Sequence, residues 1–176
     1  MIWLARHGET AYNAERRFQG QGAVPLSERG LEQARELAEQ AAGHGFASLW
    51  SSPLPRARET ADIVAERLGL AVVEEPRLME TDAGDWKDRP FAEVEAEDPD
   101  RFNAFLAGDP GFAFPGGESF AAQQDRVVAA LEDIRSRGPL PALVVFHRNA
   151  IRLALERLHG RRLTMDEVAN GSLVAL

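Results

Sequence analysis

Ile2-Trp3-Leu4-Ala5-Arg6-His7-Gly8-Glu9-Thr10 begins as an apolar run and breaks abruptly into arginine, histidine and glycine. The pattern predicts a short buried strand over 2–5, with Arg6 and His7 at its C-terminal end, the edge at which open α/β sheets carry their chemistry. Arginine is always charged and offers forked donors, while a neutral imidazole can attack phosphorus, so the pair suits a phosphate-like anion. Gly8 is expected to let backbone approach that anion, with Thr10 and Asn13 supplying further donors at the start of the next turn. Taken alone, Arg6-His7-Gly8-Glu9 is only a tetrapeptide, and an exposed loop with a lone histidine accounts for it as well.

Outward from this stretch, apolar runs of strand length alternate with amphipathic helical stretches, the order of an α/β fold. After a polar loop over 14–24, Ser27 reads as the N-cap of a helix. Its inward stripe is Leu31, Ala34, Leu37, Ala38 and Ala41, and it ends near Gly43. A second strand is expected over 47–50. Ser51-Ser52-Pro53-Leu54 then turns into a helix that starts at Pro53 and runs to about Leu68. That puts Arg56 in a first helical turn at a second strand end, where it can meet Arg6 across a bound phosphate.

A third strand, 71–74, leads into a loop crowded with carboxylates, Glu80, Asp82 and Asp85, among which position alone does not choose. Two short helices, 91–97 and 99–106, and the apolar turn Phe112-Ala113-Phe114 follow. Residues 81–114 read as an insertion over the site whose aromatics pack it down. A long helix from Ser119 through Arg135, a strand over 143–146, a helix over 149–159 and an edge strand over 173–176 complete the chain. His147 ends its strand as His7 ends the first. His44 and His159, each beside a glycine, read as solvated structural residues favoured by helix C-termini.

At 176 residues and 44% hydrophobic, the chain can bury one core, so a single domain over 1–176 is expected. The formal net charge of −8 argues against a nucleic-acid footprint, and any anion site must be local. The absence of cysteine excludes disulfides and thiolate metal sites. No signal-like segment and no span of ~20 apolar residues is present, so a cytoplasmic protein without a membrane partner is expected, as a monomer or homodimer.

The separate signals fall in one order. Arg6-His7-Gly8-Glu9-Thr10 with Asn13 is followed by Gln19-Gly20, Pro25-Leu26-Ser27, Ser51-Ser52-Pro53-Leu54 with Arg56-Ala57, and Thr60-Ala61. Then come Leu78 with Glu80 and Gly84, Pro115-Gly116-Gly117-Glu118-Ser119, and His147 with Asn149 and Arg152. In this set the chain resembles the histidine phosphatase superfamily, also called phosphoglycerate mutase-like, along nearly its whole length. The resemblance implies a three-layer α/β/α sandwich with a mostly parallel central sheet. It picks Glu80 as the acid, and it adds Asn13 and the backbone N–H after His147 as phosphate ligands. Two departures stand out: Arg148, where the family most often has glycine, and Ala23, where many relatives have aspartate. Arg148 brings bulk and charge to the rim and either binds substrate or points away.

The chemistry expected is phosphoryl transfer without metal or other cofactor, on a small phosphorylated substrate. His7 attacks phosphorus and carries the phosphoryl group, and Arg6, Arg56 and His147 balance the charge. Glu80 protonates the leaving group and then activates water. Thr10, Asn13, Gln19 and Arg148 are the candidates for holding substrate. A metal-dependent hydrolase would need ligand-spaced carboxylates and histidines, and the arginines would repel its ion. A non-catalytic phosphate-binding module, a cofactor-dependent phosphoglycerate mutase and a protein phosphohistidine phosphatase remain as alternatives. Mutases of the family carry an arginine pair and more lysines between the acid and the second histidine. Residues 81–146 hold one lysine, Lys87, and no adjacent arginines, which favours a phosphatase.

Overall fold

The computed structural model describes residues 1–176. A five-stranded sheet runs through the molecule in the order β3-β2-β4-β1-β5. Its strands are β1 (Ile2–Arg6), β2 (Ser48–Ser51), β3 (Val72–Glu74), β4 (Ala142–Phe146) and β5 (Leu173–Ala175). The first four in spatial order are parallel, and β5 pairs antiparallel with β1 at the edge. Every residue of β4 is buried, as the continuous run Ala142-Leu143-Val144-Val145-Phe146 requires of a central strand covered on both faces.

Alternation along the strands splits the core in two. Ile2, Leu4, Val144 and Phe146 pack against α6 (Phe120–Arg137) and α7 (Arg148–His159), through Val127, Leu131, Ile134, Ile151 and Leu155. Ala5, Leu143, Val145 and Leu49 face the other way, onto α2 (Glu28–Ala42) and α3 (Pro55–Leu68), through Leu37, Ala41, Ala61 and Val64. The result is the three-layer α/β/α sandwich. A third cluster lies beyond the sheet ends, where α4 (Phe91–Glu97) and α5 (Pro99–Ala107) bring Val94, Phe102 and Phe105 together with Trp86, Phe112 and Phe114. Phe18, Phe120 and Leu153 of the body close it from below. No helix is long and apolar enough to cross a membrane.

Several boundaries differ from expectation for local reasons. α3 starts at Pro55, not Pro53, because a residue before proline is held extended: Leu54 has φ −64°, ψ 135° and serves as the N-cap. Residues 11–14, expected as turn and loop, form a short helix α1 (Ala11–Ala14). Thr10 accepts the Asn13 N–H and Asn13 Oδ1 accepts the Thr10 N–H, a reciprocal capping box. His44 is exposed just past the end of α2, as expected, and its ring also lies 4.4 Å from that of Trp3 and 5.5 Å from that of Phe46.

Gly8 also has a different use from the one expected. A Cβ on it would sit 2.3 Å from the Gly30 carbonyl oxygen, and one on Gly30 would sit 2.0 Å from that of Glu9. The two glycines let the first turn of α2 press directly on the loop that carries His7. Gly30→Ala should therefore lower stability by about 1–3 kcal/mol through overpacking against backbone. Gly43→Ala, at a position with φ −80° and no atom within 4 Å, should be neutral or slightly stabilising. Urea denaturation of the two variants checks this, and equal midpoints would show that the α2 contact is slack.

Candidate active site

Three neighbouring parallel strands end at the same edge. Arg6 pairs with Phe146 and Ser51 with Val145, so His7, His147 and Ser52 are the next residues out on β1, β4 and β2. The His7 N–H donates to the Phe146 carbonyl at 3.1 Å, which locks the two histidine-bearing ends together. Their rings lie 5.2 Å apart at 58°.

His7 is 3% exposed. Its Nδ1 lies 2.6 Å from the Gly8 carbonyl oxygen, which can only accept, so Nδ1 carries the proton and Nε2 keeps its lone pair. Arg56 Nε donates to that lone pair at 3.3 Å. Burial, then the charges of Arg56 and Arg6, hold the His7 pKa well below its ordinary value. The ring is therefore neutral and in the tautomer that leaves a lone pair on Nε2.

Neither flanking arginine is neutralised by a carboxylate. Arg56, 1% exposed, donates to the Gly22 and Gly20 carbonyls at 3.0 and 2.8 Å. Arg6 donates from Nη1 to Val168 O at 2.7 Å, and its Nε has no partner. Burial, then the charge of Arg148, brings Arg6 down to about 9, and burial brings Arg56 down to about 10, in both cases against the opposing charge of Glu80. Both remain cations at neutral pH.

His147 is fully buried, with Nε2 2.8 Å from Ser52 Oγ and Nδ1 unpartnered. Ser52 Oγ also accepts the Leu54 N–H at 3.3 Å, and its second lone pair and its proton allow it to meet Nε2 as acceptor or as donor. Burial, followed by Arg56, keeps this imidazole neutral too.

Glu80 is held from three elements. Its Oε1 accepts from Gln123 Nε2 on α6 at 2.8 Å and from the Thr81 N–H at 3.0 Å. Its Oε2 accepts from the Asn149 N–H in the first turn of α7 at 3.2 Å. Arg126 grips the carbonyls of Arg77, Met79 and Glu80 while paired with Glu118, so the backbone leading to the acid is also fixed. Asp82 and Asp85 are exposed and lie outside the cavity.

A cavity of about 410 Å³ opens over these groups. Arg6, His7, Asn13, Gln19, Arg56, Glu80 and Arg148 line it; His147 and Thr10 do not. His147 lies beside His7, below the cavity surface. Thr10, expected among the substrate donors, is fully buried and donates to Gln19 Oε1 at 2.8 Å. Asn13 Oδ1 is taken by the Thr10 N–H and by Asn170 Nδ2. Thr10 thus works behind the wall, fixing two amides whose NH2 groups are left to face the site. The direction of Arg148, open in the sequence, is inward. Phe18, Phe91, Phe105 and Phe114 both pack the cap and line the cavity, so the aromatics are not confined to the packing role.

Sequence reasoning missed Gln123, Arg126, Asn170 and Ser52. Only Gln123 had a signal, as a polar residue on the inward stripe between Phe120 and Val127.

A family model described as "Histidine phosphatase superfamily (branch 1)" matches residues 2–176. A Yersinia pestis protein described as probable phosphoglycerate mutase GpmB is 37% identical over 163 residues, covering 90% of this chain and 74% of that one. Among solved structures, a mycobacterial glucosyl-3-phosphoglycerate phosphatase superposes with a TM-score of 0.85 at 31% identity, over 98% of this chain and 90% of that one. Bacillus stearothermophilus YhfR superposes with a TM-score of 0.86 at 30% identity, over 98% and 88%.

The buried neutral histidines make stability depend on pH. Their folded pKa values lie below the unfolded value near 6.5, so below pH 6.5 the unfolded state binds more protons and stability falls. Each contributes a slope of up to about 1.4 kcal/mol per pH unit in that range. Denaturation between pH 7 and 5.5 should show this loss, and His147→Asn should roughly halve the slope, whatever it does to absolute stability. An unchanged slope would mean that His147 is charged or solvated in the native state.

Proposed function

The chain belongs to the histidine phosphatase superfamily (branch 1), and from that premise we propose that it is a metal-independent phosphomonoesterase acting on a small phosphorylated metabolite. The observation that carries this reading is the His7 ring, with Nδ1 on the Gly8 carbonyl and Nε2 against the Arg56 Nε–H, at the base of an arginine-lined cavity. No group of three or more His, Cys, Asp or Glu side chains is placed to hold a metal ion, and the charge on the site comes from guanidinium.

In the proposed reaction His7 Nε2 attacks the phosphorus and the ester P–O bond breaks. Glu80 gives a proton to the departing oxygen. Arg6, Arg56, the Asn13 and Gln19 amides and the Arg148 N–H meet the phosphoryl oxygens, with His147 behind His7 as a further donor. Water then attacks phosphohistidine, Glu80 takes its proton, and the P–N bond breaks to restore neutral His7 and release phosphate. Preorganised cations fixed by backbone carbonyls do not have to reorient as charge develops.

The mutase reading has one specific support, the name of the Yersinia relative. Against it stand the single lysine and the lack of adjacent arginines over 81–146. The mycobacterial relative, named a phosphatase, superposes over nearly the whole chain. A half-open cavity under a cap fits a small molecule better than a protein phosphohistidine.

Rapid quench in base with a labelled aryl phosphate and excess chelator should trap acid-labile phosphohistidine. His7→Ala should abolish the label, and His147→Ala should slow its formation without moving it. Activity that needs an added divalent ion, or label that maps to residues 147–152, would overturn the mechanism. Isomerisation of phosphoglycerate faster than phosphate release would favour the mutase.

Glu80→Gln should cost about 10²–10⁴ in turnover of alkyl phosphates, whose leaving groups need the proton, and far less with aryl phosphates. Equal losses on both would remove Glu80 from the proton-transfer role.

A further inference from the structure

Gln123 is fully buried on α6, within the stripe formed by Phe120, Val127, Ala130, Leu131 and Ile134. Every other residue of that stripe is apolar, and an amide set among them is costly unless both of its ends find partners. Both do. Its Nε2 donates to Glu80 Oε1 at 2.8 Å, and its Oε1 meets the hydroxyl of Thr81, itself 1% exposed. A carboxylate only accepts, so the NH2 is the end that faces Glu80. Gln123 does not line the cavity, so any effect it has on substrate passes through the residues it holds.

The backbone and the side chain of Glu80 are secured separately. Arg126, one turn further along α6, donates to the Glu80 carbonyl at 3.1 Å, and Gln21 donates to it at 3.2 Å. Neither is hydrogen-bonded to the carboxylate. That group is held by two backbone N–H donors, Thr81 at 3.0 Å on Oε1 and Asn149 at 3.2 Å on Oε2, and by the Gln123 NH2. The Thr81 hydroxyl lies 3.4 Å from Oε1. The last torsion of a glutamate is broad and two-fold, so a carboxylate turns readily between equivalent settings unless its two oxygens meet unlike surroundings. Gln123 makes them unlike: Oε1 is turned to α6, and Oε2 to the first turn of α7 beside His147.

We propose that Gln123 is a positioning residue for proton transfer: with Thr81 orienting its amide, it keeps Oε1 of Glu80 on α6 and so reserves Oε2 as the oxygen that exchanges the proton. This rests on the phosphomonoesterase reading and on Glu80 as its acid. In the first step the Oε2–H bond breaks, and its proton goes to the ester oxygen as the P–O bond breaks. In the second, water loses a proton to Oε2 as its oxygen bonds to phosphorus and the P–N bond to His7 breaks, which restores the starting state. A carboxyl group free to turn spends part of its time with the proton directed away from the leaving oxygen, and proton transfer requires hydrogen-bond reach.

Benzyl, phenyl and 4-nitrophenyl phosphate test this with similar molecular shapes and a falling need for a proton on the leaving oxygen. Gln123→Met keeps the length and the apolar fit of the stripe and removes the donor. It should lower kcat/KM for benzyl phosphate about tenfold, for phenyl phosphate less, and for 4-nitrophenyl phosphate by less than about twofold. Affinity for benzylphosphonate, measured by calorimetry, should stay unchanged. Thr81→Val, which leaves the Thr81 N–H in place, should show the same order with smaller losses, and it carries the test if Gln123→Met fails to fold. In a Glu80→Gln background, Gln123→Met should cost nothing more on benzyl phosphate, because both act through one group. A uniform loss across the three esters, a loss carried by phosphonate affinity, or full additivity with Glu80→Gln overturns the proposal and leaves the phosphomonoesterase reading in place. So does a benzyl phosphate rate unchanged in both Gln123→Met and Thr81→Val. A parent protein that hydrolyses none of the three esters removes that reading and the proposal with it.

Discussion

The contact between Arg56 and His7 is the constraint to which the rest of the molecule answers. A guanidinium that is 1% exposed donates to a neutral imidazole 3.3 Å away, and no carboxylate touches it. Burying an uncompensated charge costs several kcal/mol, and hydrogen bonds to the Gly20 and Gly22 carbonyls offset only part of that. Arg6 repeats the arrangement, with one carbonyl acceptor and an unpartnered Nε. The site is thus a concentration of desolvated positive charge held open by the stability of the sandwich. An anion bound there recovers the electrostatic energy that folding left unspent, and does so most when its own charge is spread over several oxygens.

Holding two cations against a neutral histidine requires positional precision, and the sheet supplies it. Three parallel strand ends deliver His7, His147 and Ser52 as consecutive neighbours, tied by the His7 N–H to the Phe146 carbonyl and the Ser52 N–H to the Val145 carbonyl. The glycine pair Gly8 and Gly30 brings α2 against the nucleophile loop at a distance no side chain would allow. Thr60 accepts the Gly8 N–H at 3.1 Å and donates to the Arg56 carbonyl, so the loop that bears His7 and the turn that bears Arg56 share one hydroxyl.

What was legible in the sequence follows from range. The strands, the long helices and the strand-end placement of Arg6, His7 and His147 rest on local periodicity. The same holds for Arg56 in a first helical turn, although the helix start slipped by two residues because Pro55 restrains Leu54. The capping box at Thr10 was local too, but Thr10 and Asn13 were read as donors to a ligand when the chain uses them first on each other. Arg126 and Asn170 reach the site from far along the chain, and no spacing records that, whereas Gln123 shows only as a polar residue on the inward stripe of α6. Gly8 shows the converse: its need for close approach was legible, while the partner, a helix and not an anion, was a property of the assembled fold.

The acid is where these long-range contacts converge. Glu80 Oε1 accepts from Gln123 and from the Thr81 N–H, with the Thr81 hydroxyl 3.4 Å away, while Oε2 accepts from the Asn149 N–H alone. Gln123 offers its NH2 to Glu80 Oε1, and its own Oε1 meets the Thr81 hydroxyl. Asn149 belongs to the same helical turn as Arg148 and abuts His147, and its Oδ1 accepts from Arg152 at 3.4 Å. Arg152 in turn donates to Leu106 O at the end of α5 and to Leu163 O. The cap, the first turn of α7 and the acid therefore form one hydrogen-bonded chain.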